Sequence, residues 1–135
     1  MKSALVSGAA GFVGSHLVDR LLEEGFAVVG VDNFITGKEE NLNSAKSNSK
    51  FSFLDLDVVS EIPDLGMKFD YIFHAASPAS PPKYFEYPIE TMLVNSIGTK
   101  NLLDLAEKNN SRLIFFTTSE VYGDPLEHPQ RESYW

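Results

Sequence analysis

Three glycines at three-residue intervals, Gly8, Gly11 and Gly14, stand between a short apolar run and an amphipathic one, and this spacing constrains the fold more than any other feature. Ser3 to Ser7 reads as a buried strand. After the glycines, Phe12, Val13, Leu17, Val18, Leu21 and Leu22 recur at helical spacing until Gly25 ends the helix. Phe26 to Val31 is a nearly continuous apolar strand that ends in Asp32. The chain therefore opens as strand, helix and parallel strand. Gly8 permits the tight turn, Gly11 removes a Cβ where backbone would approach a pyrophosphate, and Gly14 lets the helix pack closely on the strand. The helix start offers free N–H groups and the positive end of its dipole to phosphate. Spaced glycines alone also suit an ordinary turn. The flanking strand and helix favour a nucleotide site, as does Asp32, 24 positions after Gly8. A carboxylate there accepts bonds from both hydroxyls of an adenosine ribose and repels a 2′-phosphate, so NAD is expected over NADP.

Beyond Asp32 a polar, Asn- and Lys-rich stretch runs from Thr36 to Lys50. A strand follows from Phe51 to Asp57, then a loop holding Pro63 and a strand from Phe69 to His74. A Pro-rich segment from Pro78 to Pro88 leads into a helix over Ile89 to Asn109, which carries Leu93, Ile97, Leu102, Leu105 and Ala106. A fifth strand, Leu113 to Thr117, comes last. Helices alternating with buried, non-alternating strands predict an α/β domain with a doubly wound parallel sheet in the order 3-2-1-4-5.

Composition agrees with one domain. The 135 residues are 43% apolar and include ten Phe, enough for a core, with no repeat or low-complexity tract. No stretch approaches the roughly 20 apolar residues of a membrane span. With no cysteine, disulfides and thiolate metal sites are excluded, and a cytoplasmic location is expected. The net charge of -8 argues against nucleic acid as a partner. It leaves room for an anionic cofactor, because helix-start amides hold phosphate without a lysine.

The run Ser7-Gly-Ala-Ala-Gly-Phe-Val-Gly-Ser-His-Leu17, with Val31-Asp32-Asn33, resembles the opening of the extended short-chain dehydrogenase/reductases. That superfamily comprises nucleotide-sugar epimerases, dehydratases and decarboxylases. Within it, Ala76-Ser-Pro-Ala-Ser-Pro-Pro82, Thr118-Ser-Glu-Val-Tyr-Gly-Asp-Pro125, His128-Pro-Gln130 and Tyr134-Trp135 are similar to the UDP-glucuronate decarboxylases. The likeness covers essentially the whole chain. It implies a Rossmann domain incomplete at its C-terminal edge, because family members carry a Tyr four residues before a Lys for proton and hydride transfer and no such pair occurs here. Residues 1–135 are thus expected to be the N-terminal part of an NAD-binding domain, with the remaining strands and the sugar-binding region absent. A fifth strand left as an open apolar edge invites pairing, and a homodimer or other homo-oligomer is expected.

Residue by residue, the resemblance implies backbone contacts to NAD from Gly8, Gly11, Phe12, Val13 and Gly14, and ribose contacts from Asp32 and Asn33. Adenine recognition falls to Asp57 with Val58, although Asp57 also suits a strand-end cap. Ala75 and Ser77 line the cofactor. Asn95 either faces it or caps its own helix, and Thr36 either assists at the adenosine end or caps a loop. His74 reads as a satisfied strand-end histidine rather than a base.

At the end of the fifth strand, where open α/β sheets place their ligands, Thr118 matches the residue that hydrogen-bonds the sugar hydroxyl being oxidised. Ser119 and Glu120 separate the subfamilies. Dehydratases carry an Asp-Glu pair here and epimerases commonly lack the Glu, while Glu120 on its own also suits a solvent-facing strand end. A departure lies at Leu93, where some relatives carry a Lys. The reaction implied is decarboxylation of UDP-glucuronate to UDP-xylose through a 4-keto sugar. The chain itself is expected to be inactive without the Tyr/Lys pair. A 4-epimerase, a 4,6-dehydratase and a non-catalytic NAD-binding module remain alternatives.

Overall fold

Every residue of β1 (Ser3–Ser7) is buried, which is why its sequence shows no polar alternation. The computed structural model describes residues 1–135. Besides β1 it contains β2 (Ala27–Asp32), β3 (Phe51–Asp55), β4 (Tyr71–His74) and β5 (Arg112–Phe115). All pairings are parallel, in the order β3-β2-β1-β4-β5. This is the doubly wound order that the pattern of elements predicts.

Side chains alternate between two cores. Ala4, Val6 and Val28 face one side, where Val18, Leu21 and Leu22 of helix α1 (Phe12–Glu23) pack with Leu42 and Ala45. Leu5, Val29, Val31 and Ile72 face the other side, against Val94, Leu102 and Ala106. Leu5, Ile72 and Leu102 are fully buried. Each stabilises the fold by ~1.5–3 kcal/mol relative to exposure.

The register aligns the C-terminal ends of the strands. Ser7 lies opposite Val31 on one side and His74 on the other. Asp32 pairs with Asp55, and His74 with Phe115. Strand ends of a doubly wound sheet are where a ligand crevice forms.

Three segments differ from their sequence patterns. The polar stretch after Thr36 holds a 3₁₀ turn (Glu39–Leu42) and a short helix α2 (Asn43–Lys46), because Leu42 and Ala45 plug into the core beside α1. The Pro-rich segment contains helix α3 (Pro81–Glu86), since proline is accepted in a first helical turn. The long helix is divided into α4 (Pro88–Leu93), a π turn (Val94–Gly98) and α5 (Thr99–Asn109). The strands are also shorter than their apolar runs. β3 stops at Asp55, β4 begins at Tyr71 and β5 covers Arg112–Phe115. No helix is long and apolar enough to cross a membrane.

Candidate functional site

The glycine turn is shaped by two close backbone approaches. Gly8 has φ +75°, and a Cβ on it would sit 2.6 Å from the Ala75 carbonyl oxygen. A Cβ on Gly14 would sit 1.9 Å from the Gly8 carbonyl oxygen. The first glycine therefore sets the turn and its distance from β4, and the third sets the depth of α1 against the turn. Gly11 is the N-cap of α1 and supplies no side-chain bond. The amides of Phe12, Val13 and Gly14 begin the helix with no carbonyl in the preceding turn to meet. The side chains of Phe12 and Val13 point to solvent, so only their backbone addresses the site.

Asp32 closes the turn from β2. Its Oδ2 accepts from the Ala10 amide at 2.9 Å and its Oδ1 from the Phe34 amide at 2.8 Å. Phe34 reaches back by adopting φ +58°, a left-handed conformation that costs about 1–2 kcal/mol for a residue with a Cβ. Burial pushes the Asp32 carboxyl above its ordinary range, the amide bonds from Phe34, Ala10 and Asn33 oppose that rise, and neighbouring Asp55 adds to it. Each carboxylate oxygen keeps a further lone pair for a ligand hydroxyl.

Asp32 belongs to a groove of about 570 Å³ across the strand ends. Gly8, Gly11, Asn33, Thr36, Asp57, Val58, Ala75 and Ser77 line it as well. Asn33 Nδ2 donates to Asp57 Oδ2 at 3.1 Å, while Asp57 Oδ1 caps the following turn through the Val59 amide at 2.9 Å. The capping role and the groove position of Asp57 therefore coexist, one oxygen each. Asn95 Nδ2 donates to Ser77 Oγ at 2.9 Å and to its own helix at Thr91 O, also at 2.9 Å. Asn95 reaches the groove through Ser77.

The groove wall carries three carboxylates, Asp32, Asp57 and Glu90, and no cationic side chain. A phosphate bound here must be held by amides and the α1 dipole, which the open first turn of α1 provides. That geometry fits a dinucleotide with hydroxyls at the carboxylate end.

Thr118, Ser119 and Glu120 stand apart from the groove lining. All three are exposed, Ser119 and Glu120 on the 3₁₀ turn (Ser119–Tyr122) that follows β5 and Thr118 at its N-cap. Thr118 Oγ1 caps this turn by accepting from the Glu120 amide at 3.2 Å, which leaves the hydroxyl proton free to donate.

The sequence reading missed the loop that braces the glycine turn. Asn41 Nδ2 and the Lys38 amide both donate to the Ala10 carbonyl, at 2.8 and 3.0 Å. Gly37 lies so close that a Cβ on it would meet the Asp32 carboxylate at 3.0 Å. Glu90 was missed for a different reason: it was read only as part of the helix after the Pro-rich segment, and nothing local shows that the first turn of this helix borders the groove. No local signal marks Asn41, whose partner lies 31 residues away.

The chain is similar over nearly its whole length to known proteins. The model of the NAD dependent epimerase/dehydratase family matches residues 4–134. UDP-glucuronic acid decarboxylase 1 of Danio rerio is 48% identical over 134 residues, which are 99% of this chain and 31% of that protein. UDP-glucuronic acid decarboxylase 1 of Arabidopsis thaliana is 50% identical over 131 residues, 97% of this chain and 29% of its own length. The chain thus spans about a third of the length of the curated relatives it matches. A structure of UDP-glucose 4-epimerase from Bifidobacterium longum in complex with NAD+ and UDP superposes with a TM-score of 0.81 at 28% identity, covering 98% of this chain and 42% of that one.

Proposed function

From the premise that this chain belongs to the NAD dependent epimerase/dehydratase family, we propose that it forms the NAD-binding part of a nucleotide-sugar enzyme that decarboxylates UDP-glucuronate to UDP-xylose. The observation that carries the cofactor reading is the pairing of an uncapped α1 start with the Asp32 carboxylate across one groove. Sequence likeness to the UDP-glucuronic acid decarboxylases supports the reaction.

In this reading the amides of Phe12 and Val13 hold the pyrophosphate, with Gly8, Gly11 and Gly14 giving the clearance. Asp32 and Asn33 hold the adenosine ribose, Thr36 lies beside it, and Asp57 with Val58 borders the adenine. Ala75 and Ser77, with Asn95 behind Ser77, line the remainder of the groove. When bound, NAD supplies the hydride acceptor and donor for the sugar. Thr118 offers its free hydroxyl proton to a sugar oxygen, and Glu120 places one carboxylate near the sugar. Ser119 contributes a hydroxyl to the same turn. The protein carrying this chain acts as a homodimer or other homo-oligomer.

Calorimetric titration of the chain tests the cofactor reading, with tighter binding of NAD than of NADP expected. Equal affinities would overturn the role of Asp32. Mass spectrometry of the products formed from UDP-glucuronate by the protein carrying this chain tests the reaction, with UDP-xylose and CO₂ expected. A 4-epimer or a 4-keto-6-deoxy sugar would leave only the family assignment standing.

A further inference from the structure

The last residue of β4, His74, is 1% exposed and has partners at both ring nitrogens. Nδ1 lies 2.9 Å from Ser7 Oγ at the end of β1. Nε2 lies 3.1 Å from Thr99 Oγ1 and 3.3 Å from the Val94 carbonyl oxygen. A carbonyl can only accept, so Nε2 carries the proton, and the Thr99 hydroxyl, whose own hydrogen goes to Asn95 O at 2.9 Å, accepts a share of it. Nδ1 is then the acceptor for the Ser7 hydroxyl. Burial holds the imidazole below its ordinary pKa, which the bond to Val94 O only partly opposes, so this neutral tautomer is the native one. The Phe115 ring, centroid 5.3 Å away, closes the side toward β5.

The two bonds of Nε2 lead, one directly and one through the Thr99 hydroxyl, to the peptide planes on either side of Asn95. Val94 O belongs to the peptide plane preceding Asn95. Asn95 O, held through Thr99, belongs to the plane following it. Both lie in the π turn, a geometry that gathers at functional sites and is sustained where a side chain inserts into the helix ladder. Asn95 in turn directs its amide onto Ser77 Oγ in the groove wall.

We propose that His74 is a positioning residue for the cofactor groove: through Val94 and Thr99 it holds both peptide planes around Asn95, and so sets where Asn95 and Ser77 meet the ligand. The proposal rests on the cofactor reading above. It assigns His74 no proton transfer, since both ring nitrogens are committed to the fold.

The test is a double-mutant cycle read by NAD affinity. His74→Asn keeps an acceptor near Nδ1 and loses the donor at Nε2, whereas His74→Gln keeps a donor there. His74→Asn is expected to weaken NAD about tenfold and His74→Gln by under about threefold, the range set by one hydrogen bond. In an Asn95→Ala background, His74→Asn is expected to have little further effect. No loss with His74→Asn, or the same tenfold loss without Asn95, overturns the proposal in favour of a purely structural histidine. Should His74→Asn not fold, Thr99→Val removes one of the two acceptors and reads the same coupling. An unmutated chain that binds no NAD sinks the cofactor reading instead. The NMR signals of the Asn95 side-chain amide then decide the positioning claim, shifting in His74→Asn and not in His74→Gln; unshifted signals in both overturn it.

Discussion

Asp32 and Ala10, 22 residues apart in sequence, meet where the glycine turn touches the end of β2, with the Ala10 amide donating to Asp32 Oδ2 at 2.9 Å. One carboxylate thus stabilises the turn and lines the groove, where the proposed cofactor reading gives it the ribose. Asp32→Ala is expected to weaken NAD by about 1–3 kcal/mol, the scale of charged hydrogen bonds, and to lower the unfolding free energy as well. Calorimetry and denaturant unfolding of the same variant separate the two effects.

Gly14, inside α1, and Gly66, at a left-handed turn, are constrained by different things. Gly14→Ala would drive a Cβ to 1.9 Å from the Gly8 carbonyl oxygen, so a loss of about 3 kcal/mol or more is expected because backbone has to move. Gly66, at φ +66°, has nothing within 4 Å of the added atom. Gly66→Ala is expected to cost only the left-handed backbone term of about 1–2 kcal/mol. Thermal unfolding of the two variants checks the order; similar losses would contradict the close approach at Gly14.

The stability of the chain should fall on mild acidification. Burial depresses the native pKa of His74, so the unfolded chain takes up a proton at higher pH than the folded one. Its contribution is complete above the ordinary value of 6.5 and is lost as pH falls toward the lower native value. Asp32 acts with the opposite sign: its raised carboxyl contributes stability below the ordinary 3.8 and loses it as pH rises through the native value. His16 and His128 are exposed. Denaturant midpoints should therefore drop between about pH 7.5 and about pH 6. His74→Phe should be less stable throughout but show a smaller drop; an unchanged drop would place the titration elsewhere.

In the protein carrying this chain, Glu120→Gln is expected to slow CO₂ release by more than it weakens NAD, because Glu120 lies outside the groove lining. Thr118 does two things, capping the turn and offering a proton. Thr118→Ser keeps both and should retain activity. Thr118→Ala should lose the initial oxidation and about 0.5–2 kcal/mol of local stability. Single-turnover kinetics with product analysis, set beside NAD titrations, resolves these outcomes.

The sequence by itself determined the parts of this protein whose physics is local. The turn at Gly8, the helix from Phe12, the apolar strands and Asp32 at a strand end are all written in spacing and periodicity over a dozen residues. The parallel order followed from the alternation of those elements. Tertiary structure alone decided the contacts that join them. Asn41 meets Ala10 across 31 residues, Asn33 meets Asp57 across 24, and His74 meets Ser7 across 67. A hydrogen bond depends on where folding brings a donor and an acceptor, and no periodicity records that. The π turn was hidden for a related reason: one helical pattern runs through Leu93, Ile97 and Leu102, while the distortion between them coincides with a bond from a histidine on another element.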